Sequence, residues 1–223
     1  MSTPLLPCVT VETGPAPEAT VIWLHGLGAD GHDFEPVVPE LHLPDELPVR
    51  FIFPHASAIA VTINGGYIMP AWYDIKQTDL GIEHDEAGIR ASAQQIQMLI
   101  ERERMHGMPA NRIMLAGFSQ GGAMALHVGL RQSTPLAGII ALSAYLLLPE
   151  SHANPDALSA PVFMAHGIND PVVPFFLGDE SRRKLERQGC RIAWHTYPME
   201  HQVCTEEIGA IGKWISHTLS GTD

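Results

Sequence analysis

Little in this sequence points to cross-links, nucleic acid or membranes. It has three cysteines, Cys8, Cys190 and Cys204, far apart and with no C-x-x-C spacing. An odd, scattered set argues against a disulfide framework and for a reducing compartment. Basic residues are scarce: 13 Lys and Arg against 25 Asp and Glu leave a formal net charge of −12. That balance argues against a nucleic-acid partner and against a polybasic membrane patch. No apolar run approaches the roughly 18 residues of a bilayer span, so stable membrane insertion is not expected. The N-terminal stretch, Met1 to Pro7, has no basic segment leading into an apolar one, so no secretory signal is expected either. Repeats, low-complexity tracts and linkers are also missing. The expectation is a cytoplasmic protein; its oligomeric state is not readable.

What the chain does have is ordinary globular composition, 45% hydrophobic and 17% charged over 223 residues. That is enough to bury a sizeable core, and it predicts a single domain over 1–223. Short apolar runs at Thr20–Leu24, Val49–Phe53, Ile113–Gly117, Gly138–Leu142, Val162–Ala165 and Arg191–Thr196 read as strands. Most are continuously apolar, as buried parallel strands are. Between them, Asp85–His106, Gln120–Arg131 and Pro174–Gln188 read as helices, and a last helix begins near Thr205 as N-cap. A short first strand is expected at Val9–Glu12. Strand–helix alternation predicts an α/β class with a doubly wound, mostly parallel sheet and helices on both faces. The stretch from Pro54 to His84 is too long for a plain connection. Its centre, Ala60–Ile63, Asn64-Gly65-Gly66 and Tyr67–Met69, reads as a hairpin with a tight Asn-Gly turn, a flap over about 56–76.

Gly117-Phe118-Ser119-Gln120-Gly121 is a G-x-S-x-G pattern between a predicted strand and a predicted helix. That context suits a nucleophile elbow, in which glycines on either side let backbones approach and a helix N-terminus faces developing negative charge. A glycine-rich turn with an incidental serine is the plainer alternative. A serine needs a base, and the chain order expected in such a fold is serine, acid, histidine. His201, in the loop between the last strand and the last helix, fits the base. His166 ends a strand too early, and His195 lies within one. Asp170, in the loop after Val162–Ala165 and followed by Pro171, fits the acid. The oxyanion donors would be the N–H groups of Gln120, next to the nucleophile, and Leu27, in the glycine-rich loop His25–Gly31. In the flap, Ile63, Ile68, Met69 and Trp72 lack an obvious core partner, so they are candidates to wall the acyl chain of a substrate; plain hydrophobic cover is the alternative.

Taken together, His25-Gly26-Leu27-Gly28-Ala29-Asp30-Gly31-His32-Asp33-Phe34, Phe53-Pro54-His55-Ala56, Ala71-Trp72-Tyr73-Asp74, Asp85-Glu86-Ala87-Gly88-Ile89, the elbow, His166-Gly167 with Asp170, and Tyr197-Pro198-Met199 with His201 resemble the small carboxylesterases and acyl-protein thioesterases of the α/β-hydrolase fold. The resemblance runs from about residue 20 to the C-terminus. It implies a Ser119–His201–Asp170 hydrolase without cofactor or metal, acting on short- to medium-chain acyl esters, with acyl-thioesters, lysophospholipids or an acylated protein as further substrates. Glu200 and Gln202 depart from the glycine and serine that often flank the histidine in that family, which leaves pH optimum and substrate detail open. Two other readings stand beside it. One is a non-catalytic binding protein on a hydrolase scaffold, expected to lack a triad member, although none is missing here. The other is a metal-dependent hydrolase, disfavoured because the twelve histidines show no H-x-x-x-H spacing.

Overall fold

The structure, a computed structural model, describes residues 4–77, 83–148 and 154–221. Positions 78–82 of the long connection, and His152, lie outside the described residues. In chain order the regular elements are β1 (Cys8–Glu12), β2 (Ala19–Leu24), β3 (Val49–Pro54), β4 (Ala58–Val61), β5 (Tyr67–Pro70), α1 (Glu86–Met105), β6 (Ile113–Phe118), α2 (Gln120–Gly129), β7 (Gly138–Leu142), β8 (Val162–Gly167), α3 (Phe175–Arg187), β9 (Ile192–Tyr197) and α4 (Thr205–Ser220).

Seven strands form one sheet in the order β1-β3-β2-β6-β7-β8-β9. All neighbours are parallel except β1, which runs antiparallel to β3 with Val9 opposite Phe53. The continuous apolar runs follow from burial on both faces. In β2, Ile22 and Leu24 join one core while Val21 and Trp23 join the other; in β6, Ile113 and Leu115 oppose Met114 and Ala116 in the same way. Successive side chains point to opposite faces, so a strand covered on both sides has no polar position to spare. Ile89, Ile96 and Ile100 of α1, the α2 side chains and Leu185 of α3 fill the first core, and Ile211, Ile215 and Leu219 of α4 fill the second. This is the α/β-hydrolase arrangement, with helices on both faces of the sheet.

Helix ends differ slightly from the sequence reading. Asp85 caps α1 by accepting the Gly88 N–H at 3.1 Å. Thr205 is the first helical residue of α4 rather than its cap; Cys204 precedes it and no side chain caps that end. The hairpin is β4 paired with β5, Val61 opposite Tyr67. Its turn is not a two-residue Asn-Gly turn. A 3-10 turn over Thr62–Asn64 is followed by Gly65 and Gly66 at φ 68° and 80°. The reason is Asp74, whose carboxylate takes the Thr62 N–H at 2.7 Å and its hydroxyl at 2.6 Å. Those bonds end the ladder at Val61, and two residues without Cβ must complete the reversal.

Parallel strands deliver their carboxyl ends to one edge, where ligands of open α/β sheets bind beside a reversal of strand order. Here β2 and β6 are neighbours, Leu24 opposite Gly117, and β8 and β9 are neighbours, Gly167 opposite Tyr197. The loops that carry the candidate residues leave from these four ends.

Candidate active site

Ser119 sits between β6 and α2 at φ 54°, ψ −119°, a left-handed conformation unusual for a residue with a Cβ. Its surroundings hold it there. The Ser119 N–H donates to Leu142 O at 2.8 Å. A Cβ on Gly117 would lie 2.3 Å from the Gly121 carbonyl carbon, and one on Gly121 would lie 2.2 Å from Leu24 O. Both glycines are therefore steric requirements of a tight turn that lifts the serine out of the chain path.

Asp170 and His201 reach the same point from the ends of β8 and β9. His201 Nδ1 lies 2.7 Å from Asp170 Oδ2, and His201 Nε2 lies 2.9 Å from Ser119 Oγ. A carboxylate can only accept, so Nδ1 carries the proton and Nε2 offers its lone pair to the serine hydroxyl. The other carboxylate oxygen of Asp170 accepts the N–H groups of Val172 and Val173, each at 2.8 Å. These bonds aim Oδ2 at the imidazole, whose ring packs 4.7 Å from that of Phe118. Glu200 is exposed, and both ring nitrogens of His201 are already engaged by Asp170 and Ser119.

His166 also belongs to this neighbourhood. Its ring is fully buried, Nε2 donates to Val173 O at 2.8 Å, and the same nitrogen stands 3.6 Å from Asp170 Oδ2. Burial lowers its pKa, so the ring is neutral and braces the acid loop without adding charge. The sequence reading set it aside as a base, and its bracing role had no signal beyond a histidine at a strand end.

Leu27 and Gln120 both border the cavity that contains Ser119, and neither backbone N–H is taken by another group among the described residues. The Leu27 loop is fixed from two sides. Gly28 N–H donates to Pro70 O of the hairpin at 2.9 Å. Buried His25 accepts the Ala56 N–H at Nε2 (3.1 Å) and donates from Nδ1 to Gly26 O (2.7 Å), the pattern of a neutral ring, and burial lowers its pKa accordingly. Gln120 has a second use that the sequence did not reveal. Its side chain accepts the Trp72 N–H and donates to Tyr73 O, both at 2.8 Å, tying the end of the hairpin to the start of α2.

The cavity has a volume of about 470 Å³, within the usual range for a small-molecule site. Its apolar wall is made by Ile63, Ile75, Tyr73 and Tyr145, with Val172 and Val173 from the acid loop. Of the flap residues expected to wall an acyl chain, Ile63 borders this space. Trp72 does not: it is 1% exposed, belongs to the first core, and donates from Nε1 to His25 O at 2.9 Å. It looked unpartnered because its partners, His25, Gln120 and Ser92, come from distant parts of the chain. Ile68 points to solvent, 68% exposed, and Met69 lies behind the oxyanion loop near Gly28 and Asn64. Strand alternation puts Ile68 and Met69 on opposite faces of the ribbon, and neither face borders the cavity. Ile75, Tyr73 and Tyr145 were missed, since nothing local marks a residue beyond a hairpin as a cavity wall.

No group of three or more His, Cys, Asp or Glu side chains among the described residues is arranged to hold a metal ion. The phospholipase/carboxylesterase family is matched over residues 7–219. An acyl-protein thioesterase 1 of Neurospora crassa is 43% identical over 96% of this chain and 91% of the relative. One of Yarrowia lipolytica is 37% identical over 97% and 99%. Among solved structures, acyl-protein thioesterase 2 of Zea mays superposes with a TM-score of 0.84 at 26% identity, covering 96% of this chain and 99% of that one.

Proposed function

The chain belongs to the phospholipase/carboxylesterase family, and from that premise we propose that it hydrolyses acyl esters and acyl-thioesters through Ser119, His201 and Asp170. It is a serine ester hydrolase. The observation that carries the assignment of roles is the relay of 2.9 and 2.7 Å joining these three side chains at the cavity.

His201 Nε2 takes the hydroxyl proton as Ser119 Oγ attacks the acyl carbon. Asp170 holds the ring in the required tautomer and stabilises the imidazolium that forms. The Leu27 and Gln120 N–H groups receive the oxyanion, a contribution of roughly 3–4 kcal/mol per donor in comparable sites. Collapse breaks the bond to the alkoxide or thiolate, which leaves with the proton held on Nε2. Water then attacks the acyl-serine, giving its proton to the same nitrogen, and the carboxylic acid departs as Ser119 is regenerated.

The relatives named acyl-protein thioesterases support a cysteine thioester of an acylated protein as the substrate. The apolar wall of Ile63, Ile75, Tyr73 and Tyr145 supports short to medium acyl chains, and one catalytic domain over the whole chain accounts for every group used. A reducing, cytoplasmic setting is supported by the three free cysteines. No described helix is long and apolar enough to cross a membrane.

The test is turnover of acetyl, butyryl and octanoyl esters beside the matching thioesters, combined with an organophosphonate label. Label on Ser119 alone, and loss of turnover in Ser119→Ala, are expected. Labelling elsewhere with turnover intact in that variant sinks the serine mechanism.

A further inference from the structure

Asp33 borders the catalytic cavity, on the loop that also supplies Leu27 and Ala29 to its lining. Other carboxylates nearby are occupied. Asp30 accepts the His32 N–H at 2.8 Å, and Asp74 holds the hairpin turn. The Asp33 carboxylate has no hydrogen bond or ion pair among the described residues; its own N–H merely donates to Asp30 O at 3.2 Å. Among the described residues, no lysine or arginine lines the cavity. Partial loss of water raises the Asp33 pKa from the ordinary value, and the neighbouring Asp30 charge adds to this. A carboxylate that is unpaired at the border of a cavity and open to solvent attracts a cation brought into that cavity.

Asp33 borders the same cavity as Ser119 and His201, so an ester bound there is held in the space that this carboxylate faces. We propose that Asp33 is a specificity-determining residue that selects esters and thioesters carrying an ammonium charge. This rests on the hydrolase reading above. The net charge of −12 adds long-range attraction for the same substrates.

The experiment compares octanoylcholine with 3,3-dimethylbutyl octanoate, which has carbon in place of the quaternary nitrogen. A pair a few ångströms apart in a partly screened mouth is expected to favour the cation roughly tenfold in kcat/KM, mostly through KM. The preference should shrink as ionic strength rises. Asp33→Asn is expected to remove most of the preference and its salt dependence, and Asp33→Glu to restore both. A second arm uses an S-octanoyl-cysteine peptide with lysine or norleucine beside the cysteine, and tells which carrier of the charge the mouth favours. Equal rates on the charged and neutral members of both pairs in the parent, or a preference that survives in Asp33→Asn, overturn the proposal. Failure of the parent to hydrolyse any of the four substrates would instead count against the hydrolase reading.

Discussion

A serine held at φ 54° is tolerable only where its neighbours leave it no other place. The two elbow glycines do this by lying so close to Leu24 and to each other that a single methyl has no room. Gly121→Ala is expected to destabilise the fold by on the order of 2–4 kcal/mol, and urea unfolding monitored by tryptophan fluorescence measures it. Ser119→Ala keeps the turn and should lower kcat by about 10⁴ to 10⁶ with little change in stability. A folded Ser119→Ala protein retaining a few per cent of activity would contradict the assigned role. Gln120→Ala separates two functions carried by one residue. The backbone N–H remains, while the two side-chain bonds to Trp72 and Tyr73 are lost. Each buried bond left unmade costs about 1–3 kcal/mol. The expected outcome is a lowered Tm together with a lowered kcat, because the cavity wall at Tyr73 loses its anchor.

At the scale of elements, the hairpin β4–β5 matters for what lies just beyond its strands. Its turn supplies Ile63, and the chain leaving β5 supplies Tyr73 and Ile75, while Trp72 is drawn into the core. Ile63 N–H donates to Ile75 O at 2.8 Å, so the two isoleucines form one unit of wall. A buried methylene is worth about 0.8 kcal/mol, or roughly fourfold in rate. Ile63→Ala and Ile75→Ala are therefore expected to reduce kcat/KM for octanoyl esters several-fold more than for acetyl esters. Ile68→Ala, on the solvent side of the same ribbon, should leave the ratio of the two unchanged. Equal losses on both esters in Ile63→Ala would mean that the hairpin only supports the fold.

At the scale of the molecule, two buried ionisable groups set opposite slopes of stability against pH. Glu207, in the first turn of α4, is fully buried, neither carboxylate oxygen meets a hydrogen-bond partner among the described residues, and burial pushes its pKa up to about 8. Between its ordinary 4.5 and about 8, the unfolded chain has released this proton and the folded chain keeps it. Stability contributed by Glu207 is thus complete below 4.5 and is lost as pH rises through 8. His127, in α2, is displaced the other way, to about 4, by burial and then by the nearby Arg131 charge. Between about 4 and 6.5 the unfolded chain binds the proton that the folded chain refuses, so stability rises with pH there. The two slopes oppose each other from 4.5 to 6.5, and above 6.5 only the glutamate of this pair contributes a slope. From pH 6.5 to 8 the parent should lose about 2 kcal/mol, at about 1.4 kcal/mol per unit. Chemical denaturation at closely spaced pH values checks this. Glu207→Gln should flatten the alkaline limb and His127→Asn should reduce the acidic one, to which His25 and His166, also lowered by burial, contribute with the same sign; an alkaline limb that persists in Glu207→Gln would assign the loss to another group.

Much of this was written locally in the chain. The buried strands announced themselves because two-sided burial demands unbroken apolar runs, as in Thr20–Leu24 and Ile113–Gly117. The elbow was legible because a strand entering a tight turn beside other backbone needs glycine at fixed offsets from Ser119. Asp170 and His201 could be named because a parallel sheet brings the ends of β8 and β9 to the edge that holds the serine, whatever the intervening residues are. What the sequence could not determine were facings and long-range partners. Trp72 reads like the rest of an apolar flap, and only tertiary packing against His25 and Gln120 puts it in the core. Ile63 and Ile68 are the same residue type on one hairpin, and one borders the cavity while the other meets water. Glu207 resembles any acidic residue at a helix start, and Asp33 any aspartate in a loop. Their chemistry came from the surface each was folded against, because charge, burial and pairing are settled by neighbours in space.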